Sequence, residues 1–140
     1  MLVALAAGAW YFLAPPKDAT AMPGSIEGTT NYPSDYIPVQ IVCAEPVDGG
    51  SEYCTETPAG DDELLTPSWS IEVPAGEYYI SARVKDPSEM GSDLGDYRAY
   101  YTQYVMCGLN VECTDHTKIP VTVTSGQATL GITPYDWYIR

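Results

Sequence analysis

After residue 24, apolar and polar residues alternate with a period of two along most of the chain. That period places successive side chains on opposite faces of a strand, whereas an amphipathic helix needs apolar residues at i, i+3 and i+4. No long window has the helical spacing, and prolines interrupt most gaps. The stretch "SWSIEVPAGEYYISARV", residues 68–84, is the clearest case. Trp69, Ile71 and Val73 are expected inward, with Ser70 and Glu72 outward. In the following strand Tyr78, Ile80, Ala82 and Val84 are expected inward, with Tyr79, Ser81 and Arg83 outward. Between them Pro74-Ala75-Gly76-Glu77 forms a turn in which Pro fixes φ and Gly takes the bend.

The remaining segments follow the same rule. "SIEGTT" is a short first strand. "IPVQIVCAE" puts Ile37, Val39, Ile41 and Cys43 on one face and Val42 and Ala44 on the other. "SEYCTET" returns from the turn Asp48-Gly49-Gly50. "YRAYYTQYVMC" is expected as one long polar-aromatic strand. "KIPVTVT" aligns Ile119, Val121 and Val123; "SGQ" turns, and "ATLGITP" returns with Leu130 and Ile132. Seven or eight short strands at regular spacing predict an all-β antiparallel β-sandwich, a single domain over residues 25–140.

The first 24 residues differ. Residues 1–14, "MLVALAAGAWYFLA", carry no charge and are expected to be helical. A helix of that length spans about 21 Å, short of the ~30 Å hydrocarbon core. Trp10, Tyr11 and Phe12 at its end suit a membrane interface. The segment therefore reads as an export signal or a membrane anchor, the anchor being preferred because no basic stretch precedes it. The alternatives are a buried element of the domain and a helix packing against copies of itself in a filament. Residues 15–24, "PPKDATAMPG", are a Pro-rich linker.

Composition narrows the function classes. The net charge is −13, with 19 acidic residues against six Lys and Arg. Six scattered cations supply no nucleic-acid surface. Cys43, Cys54, Cys107 and Cys113 form an even set in a short chain, consistent with export to an oxidising compartment. A hairpin around the Gly-Gly turn pairs Cys43 with Cys54, and the short loop "GLNVE" leaves Cys107 to pair with Cys113. The rival, a metal site from Cys107, Cys113 and His116, lacks a fourth ligand.

"IEVPAGEYYISA" followed by "VTVTSGQATLGI" resembles the carboxypeptidase regulatory-like, or transthyretin (prealbumin)-like, sandwich. The matching positions are Gly28, Pro38, Val39, Pro74, Gly76, Tyr78, Ile80, Ala82, Val121, Val123, Gly126, Gln127 and Ile132. They are turn and core positions, so the resemblance implies an immunoglobulin- or prealbumin-like fold without naming a site. It further implies an accessory, adhesive or structural module of an exported protein. Two stretches depart from the family pattern: "PAGDDELLTPS" replaces its usual hairpin, and residues 85–117 are an insertion.

The insertion holds most of the candidate chemistry. Asp86, Glu89, Asp93 and Asp96 sit in a glycine-bearing loop and are a weak calcium candidate, with Asp61, Asp62 and Glu63 as further acids. No EF-hand pattern is present, and solvated acidic loops are the plainer reading; no other cofactor is expected. Tyr97, Tyr100, Tyr101 and Tyr104 are candidates for partner binding, because Tyr offers contact area at small entropic cost. The plainer reading of the four is cross-strand aromatic packing. His116 is the single histidine, no G-x-S-x-G occurs, and acid pairs arise by chance among 19 carboxylates, so no enzyme is expected. The expected function is an exported, non-catalytic surface module, structural or adhesive, held to a membrane through residues 1–14. Its partner would be a protein or glycan at the cell surface. The alternative is a subunit of an extracellular filament whose partners are copies of itself.

Overall fold

The computed structural model describes residues 22–61, 63–90 and 96–139. The apolar segment 1–14, most of the linker, and Asp62 and Asp93 lie outside the described residues.

The described chain is an all-β sandwich. Ten strands are formed: β1 (Gly24–Thr29), β2 (Tyr36–Ile37), β3 (Gln40–Pro46), β4 (Tyr53–Glu56), β5 (Gly60–Asp61), β6 (Ser68–Val73), β7 (Gly76–Val84), β8 (Ala99–Tyr100), β9 (Val121–Val123) and β10 (Ala128–Ile132). One layer is the three-stranded sheet β10-β1-β6. The other is five-stranded: β4-β3-β7-β8, with β9 also paired to β7. A two-residue ladder joins β2 to β5. Ile26, Trp69, Ile71, Val73 and Ile132 of the first layer and Val42, Ala44, Tyr78, Ile80, Ala82, Val84, Val121 and Val123 of the second form one core. The inner faces of the two sheets therefore meet, and the outer faces point to opposite sides of the molecule.

The inward positions read from residues 68–84 hold: β6 is buried at every second position and β7 buries Tyr78, Ile80, Ala82 and Val84, although Ser81 on the other face is buried as well. Their connection is not a hairpin. β6 pairs with β1 and β7 with β3, so Pro74-Ala75 carries the chain from one sheet to the other. Gly76 is already the first residue of β7, and its φ is not in the left-handed region.

Three expectations need correction. The stretch 36–46 is two strands, broken at Pro38-Val39, because Pro has no N–H for the ladder. Within β3 the core side is Val42 and Ala44, together with Gln40, while Val39 and Ile41 are only half-buried. The stretch 97–107 is not one strand: β8 lasts two residues, and Gln103–Met106 makes a single helical turn, α1. β9 and β10 do not pair as a hairpin; β9 joins β7, whereas β10 runs parallel to β1 in the other sheet. That pair requires a glycine, since a Cβ on Gly28 would lie 1.6 Å from the Ile132 carbonyl oxygen.

Both disulfides form as the spacing implies. Cys43 and Cys54 are directly opposite across β3 and β4, and Cys107 is joined to Cys113 around the loop after α1. The β3–β4 connection turns through Gly49 and Gly50, with φ of 92° and 114°. Two disulfides and no free cysteine among the described residues suit an oxidising, extracytoplasmic environment. No helix of the described residues is long and apolar enough to cross a membrane.

Candidate functional site

The outer face of the five-stranded sheet follows from register. Ile41, Cys43 and Glu45 of β3 stand beside Arg83, Ser81 and Tyr79 of β7. Glu56 and Cys54 of β4 continue those rows on one side, and Tyr100 of β8 stands beside Ser81 on the other. Alternation in "RAY" explains the last strand: Ala99 is buried in the core, so Arg98 and Tyr100 turn outward.

Cations collect on this face. Lys17 and Arg140 lie outside the described residues; the other four Lys and Arg, namely Arg83, Lys85, Arg98 and Lys118, all belong to it. Arg98 crosses the width of the sheet: its Nη1 is 2.7 Å from Glu52 Oε1 and donates to Ser81 Oγ at 3.3 Å. Cys43 and Ser81 are each 1% exposed although they lie on the outward side, whereas Cys54 is exposed. Lys85 Nζ donates to Glu56 Oε2 at 2.9 Å. The Lys118 ammonium stands 3.8 Å from the Tyr100 ring centre and 5.6 Å from that of Tyr79. Arg83 forms no ion pair among the described residues. Burial, followed by the nearby Glu45 carboxylate, pushes the Tyr100 phenol up to about 12.

A second cluster ties the C-terminal segment down. Asp136 is fully buried. Its Oδ2 accepts a hydrogen bond from Thr102 Oγ1 at 2.7 Å and lies 2.7 Å from His116 Nδ1, while its Oδ1 accepts from the Tyr138 amide at 3.2 Å. The His116 ring packs 4.6 Å from the Tyr104 ring, which also meets Tyr138 edge-on. Beside it, Asp115 accepts from the Thr117 amide in a short turn, and bonds from Thr117 hold its carboxyl below the usual value. The imidazole is thus fixed from one nitrogen and one face. Thr102, the hydroxyl in this cluster, bonds to the carboxylate and not to the imidazole.

The four insertion tyrosines are not brought together on one surface. Tyr100 belongs to the outer face of the five-stranded sheet. Tyr97 stacks on Trp137, its hydroxyl reaching the Trp137 and Ile139 carbonyls. Tyr104 is 7% exposed within the His116 cluster, and Tyr101 packs against the core with its hydroxyl at Met106 Sδ. Of the calcium candidates, Asp86 is committed to a turn, accepting from both the amide and hydroxyl of Ser88, and Glu89 lies in the 3₁₀ turn Pro87–Met90 that follows. Asp86, Glu89 and Asp96 belong to no ligand cluster among the described residues. The cysteines of the Cys107–Cys113–His116 metal reading are joined to each other.

Sequence reasoning missed Arg98, Lys118, Glu45 and Glu52 as a group, along with Asp136 and Thr102. The outward alternation of "YRAY" was a usable signal for Arg98 and Tyr100. Nothing in the linear order announces that residues 45, 52, 98 and 118 share a face.

What the fold and the face define is a disulfide-bearing all-β sandwich with its described cations on one sheet. No family model, no curated protein and no solved structure matches the chain.

Proposed function

We propose that this chain is an exported, non-catalytic β-sandwich module with a structural or adhesive role, tethered at the cell surface through the apolar residues 1–14. The observation that carries the reading is the outer face of the five-stranded sheet. On a chain of net charge −13, that face gathers the four described cations among the carboxylates of Glu45, Glu52, Glu56 and Glu77, with the half-buried rings of Tyr79 and Tyr100. A flat surface of Tyr and Arg is the composition that protein contacts favour, because both residues give large contact area and directional bonds. The side chains with the greatest chemical reactivity are occupied elsewhere: the described cysteines are paired and the single histidine is bonded to Asp136. The carboxypeptidase regulatory-like reading agrees with this role and rests on the turn and core positions given above. A filament subunit is the second reading, supported by the difference between the outer faces: one carries Glu27 and Glu72 without a described cation, and the other mixes cations with carboxylates.

The test uses cells that export the chain. A membrane-impermeant amine reagent is expected to label Lys85 and Lys118 on intact cells; labelling only after lysis would contradict export. Added full-length chain is expected to attach to those cells, and Arg83→Glu with Lys118→Glu to attach more weakly while melting cooperatively.

A further inference from the structure

One end of the sandwich carries an apolar tip. β1 begins at Gly24 beside Val73 and finishes at Thr29 beside Ser68, so the length of that strand, about 17 Å, separates Met22 from this end. Here the β2–β5 ladder sets Tyr36 opposite Asp61, and a further bridge sets Asp61 opposite Leu65. Residues directly opposite in an antiparallel pair project from the same face, so Tyr36, Asp61 and Leu65 form one row. Ile37, on the other face, is fully buried, and the row therefore looks outward. Tyr36 is 50% exposed, Leu65 58% and the adjoining Leu64 88%. The leucines are held in place by backbone bonds. The Asp61 amide donates to the Leu65 carbonyl at 3.0 Å and the Leu65 amide to the Asp61 carbonyl at 3.3 Å. Asp61 Oδ1 accepts from the amides of Glu63 and Leu64 at 3.1 and 2.5 Å. Large apolar side chains that a fold fixes side by side in water mark a contact surface.

The charges at the tip have one sign. Asp35 precedes Tyr36, Asp61 stands within the row, Glu63 precedes Leu64, and residues 30–67 contain no Lys or Arg. The register of Gln40 with Val84 brings Lys85 to the same end, where it is already paired with Glu56 at 2.9 Å. We propose that this tip docks a protein segment that is both apolar and basic. Large apolar side chains of that segment cover Tyr36, Leu64 and Leu65, and its Lys or Arg residues reach Asp35 and Glu63. Charge complementarity selects this occupant: the same carboxylates repel an anionic lipid surface or an acidic protein, and a purely apolar partner would leave them desolvated and unpaired. The backbone bonds around Asp61 preorganise the contact, so little ordering is left to oppose binding. A tether that joins the domain through Met22 leaves the tip free. The site is separate from the outer face of the five-stranded sheet, and the two stand or fall independently.

The test is amide-shift mapping by NMR on the isotope-labelled full chain, titrated with three probes: a synthetic Leu–Lys peptide, its Leu–Glu counterpart, and vesicles of phosphatidylcholine with phosphatidylglycerol. The Leu–Lys peptide is expected to give saturable shifts centred on Tyr36, Asp61, Leu64 and Leu65, and the other two probes none there. Leu64→Ser with Leu65→Ser is expected to weaken the peptide by roughly tenfold or more, with a cooperative melt unchanged because both side chains are exposed. Leu64→Ser alone repeats the comparison with smaller risk to folding. Glu63→Lys is expected to weaken it as well, most strongly at low salt. Arg83→Glu is expected to bind the peptide as the wild type does, which separates this site from the five-stranded face. Shifts spread over the acidic surface at large overturn the proposal, as does a double variant that binds the Leu–Lys peptide as tightly as the wild type. Equal binding of the Leu–Glu peptide, or a response of the tip amides to the vesicles instead of the peptide, overturns it too.

Discussion

The Arg98 guanidinium reaches across the five-stranded sheet to the Glu52 carboxylate, 2.7 Å away, and donates on the way to Ser81 Oγ at 3.3 Å. The pair is half-buried, with side chains 23% and 33% exposed. Its worth therefore lies between that of a solvent-exposed pair, at most about 1 kcal/mol, and that of a dry one. Arg98→Ala is expected to cost about 1 kcal/mol in urea denaturation. An unchanged urea midpoint would show that the pair adds nothing to the stability of the fold.

Asp136 predicts a larger effect. Replacing it with Ala strips partners from Thr102, His116 and the Tyr138 amide at one stroke. The expected loss is about 3 kcal/mol, because buried groups left unpaired are penalised by their full desolvation. His116→Ala leaves the buried carboxylate with fewer partners and is expected to cost about 2 kcal/mol. The two losses should be less than additive in a double-mutant cycle, since the residues share one contact.

The disulfides differ in loop length, with sequence separations of 11 and 6. The chain-entropy estimate gives about 2.8 kcal/mol for the larger loop and about 2.4 kcal/mol for the smaller. Paired Cys→Ser replacement of Cys43 and Cys54 is expected to lower the melting temperature more than replacement of Cys107 and Cys113. The near-complete burial of Cys43 adds to the difference, because a serine hydroxyl there needs a hydrogen-bond partner.

Tyr100 sets an alkaline limit. Its phenol is raised from 10.0 to about 12, so the fold favours the neutral form. The stabilisation it gives is fully present below about pH 10 and is lost as the pH rises through about 12. Urea midpoints measured across that window should fall in the wild type and fall less in Tyr100→Phe. Identical slopes would remove Tyr100 as the cause.

Most of the scaffold was legible from periodicity. β6 and β7 were readable because burial of one sheet face forces strict alternation, and the Asp48-Gly49-Gly50 turn fixed the register that sets Cys43 against Cys54. The partners of β9 and β10 were not readable. Alternation tells which face of a strand is buried, not which neighbour it pairs with, and a parallel β1–β10 pair joins segments about a hundred residues apart. The stretch 97–107 misled for another reason: its aromatic residues suit a strand, but packing of Tyr101 against the core and of Tyr104 against His116 and Tyr138 goes with a bend and one helical turn. The site was legible only in pieces. Tyr100 stood out by type, whereas Arg98 and Lys118 became members of a surface only once β8 was placed beside β7.

The outer face of the five-stranded sheet, with its Arg, Lys and Tyr side chains, is the proposed working surface. The most direct measurement is attachment of purified full-length chain to the surface of cells that export it, comparing wild type with Arg83→Glu. Arg83 forms no ion pair among the described residues, so its reversal should leave the fold intact, checked by a cooperative melt. The prediction is a clear loss of attachment with melting unchanged. Attachment equal to that of the wild type would contradict it.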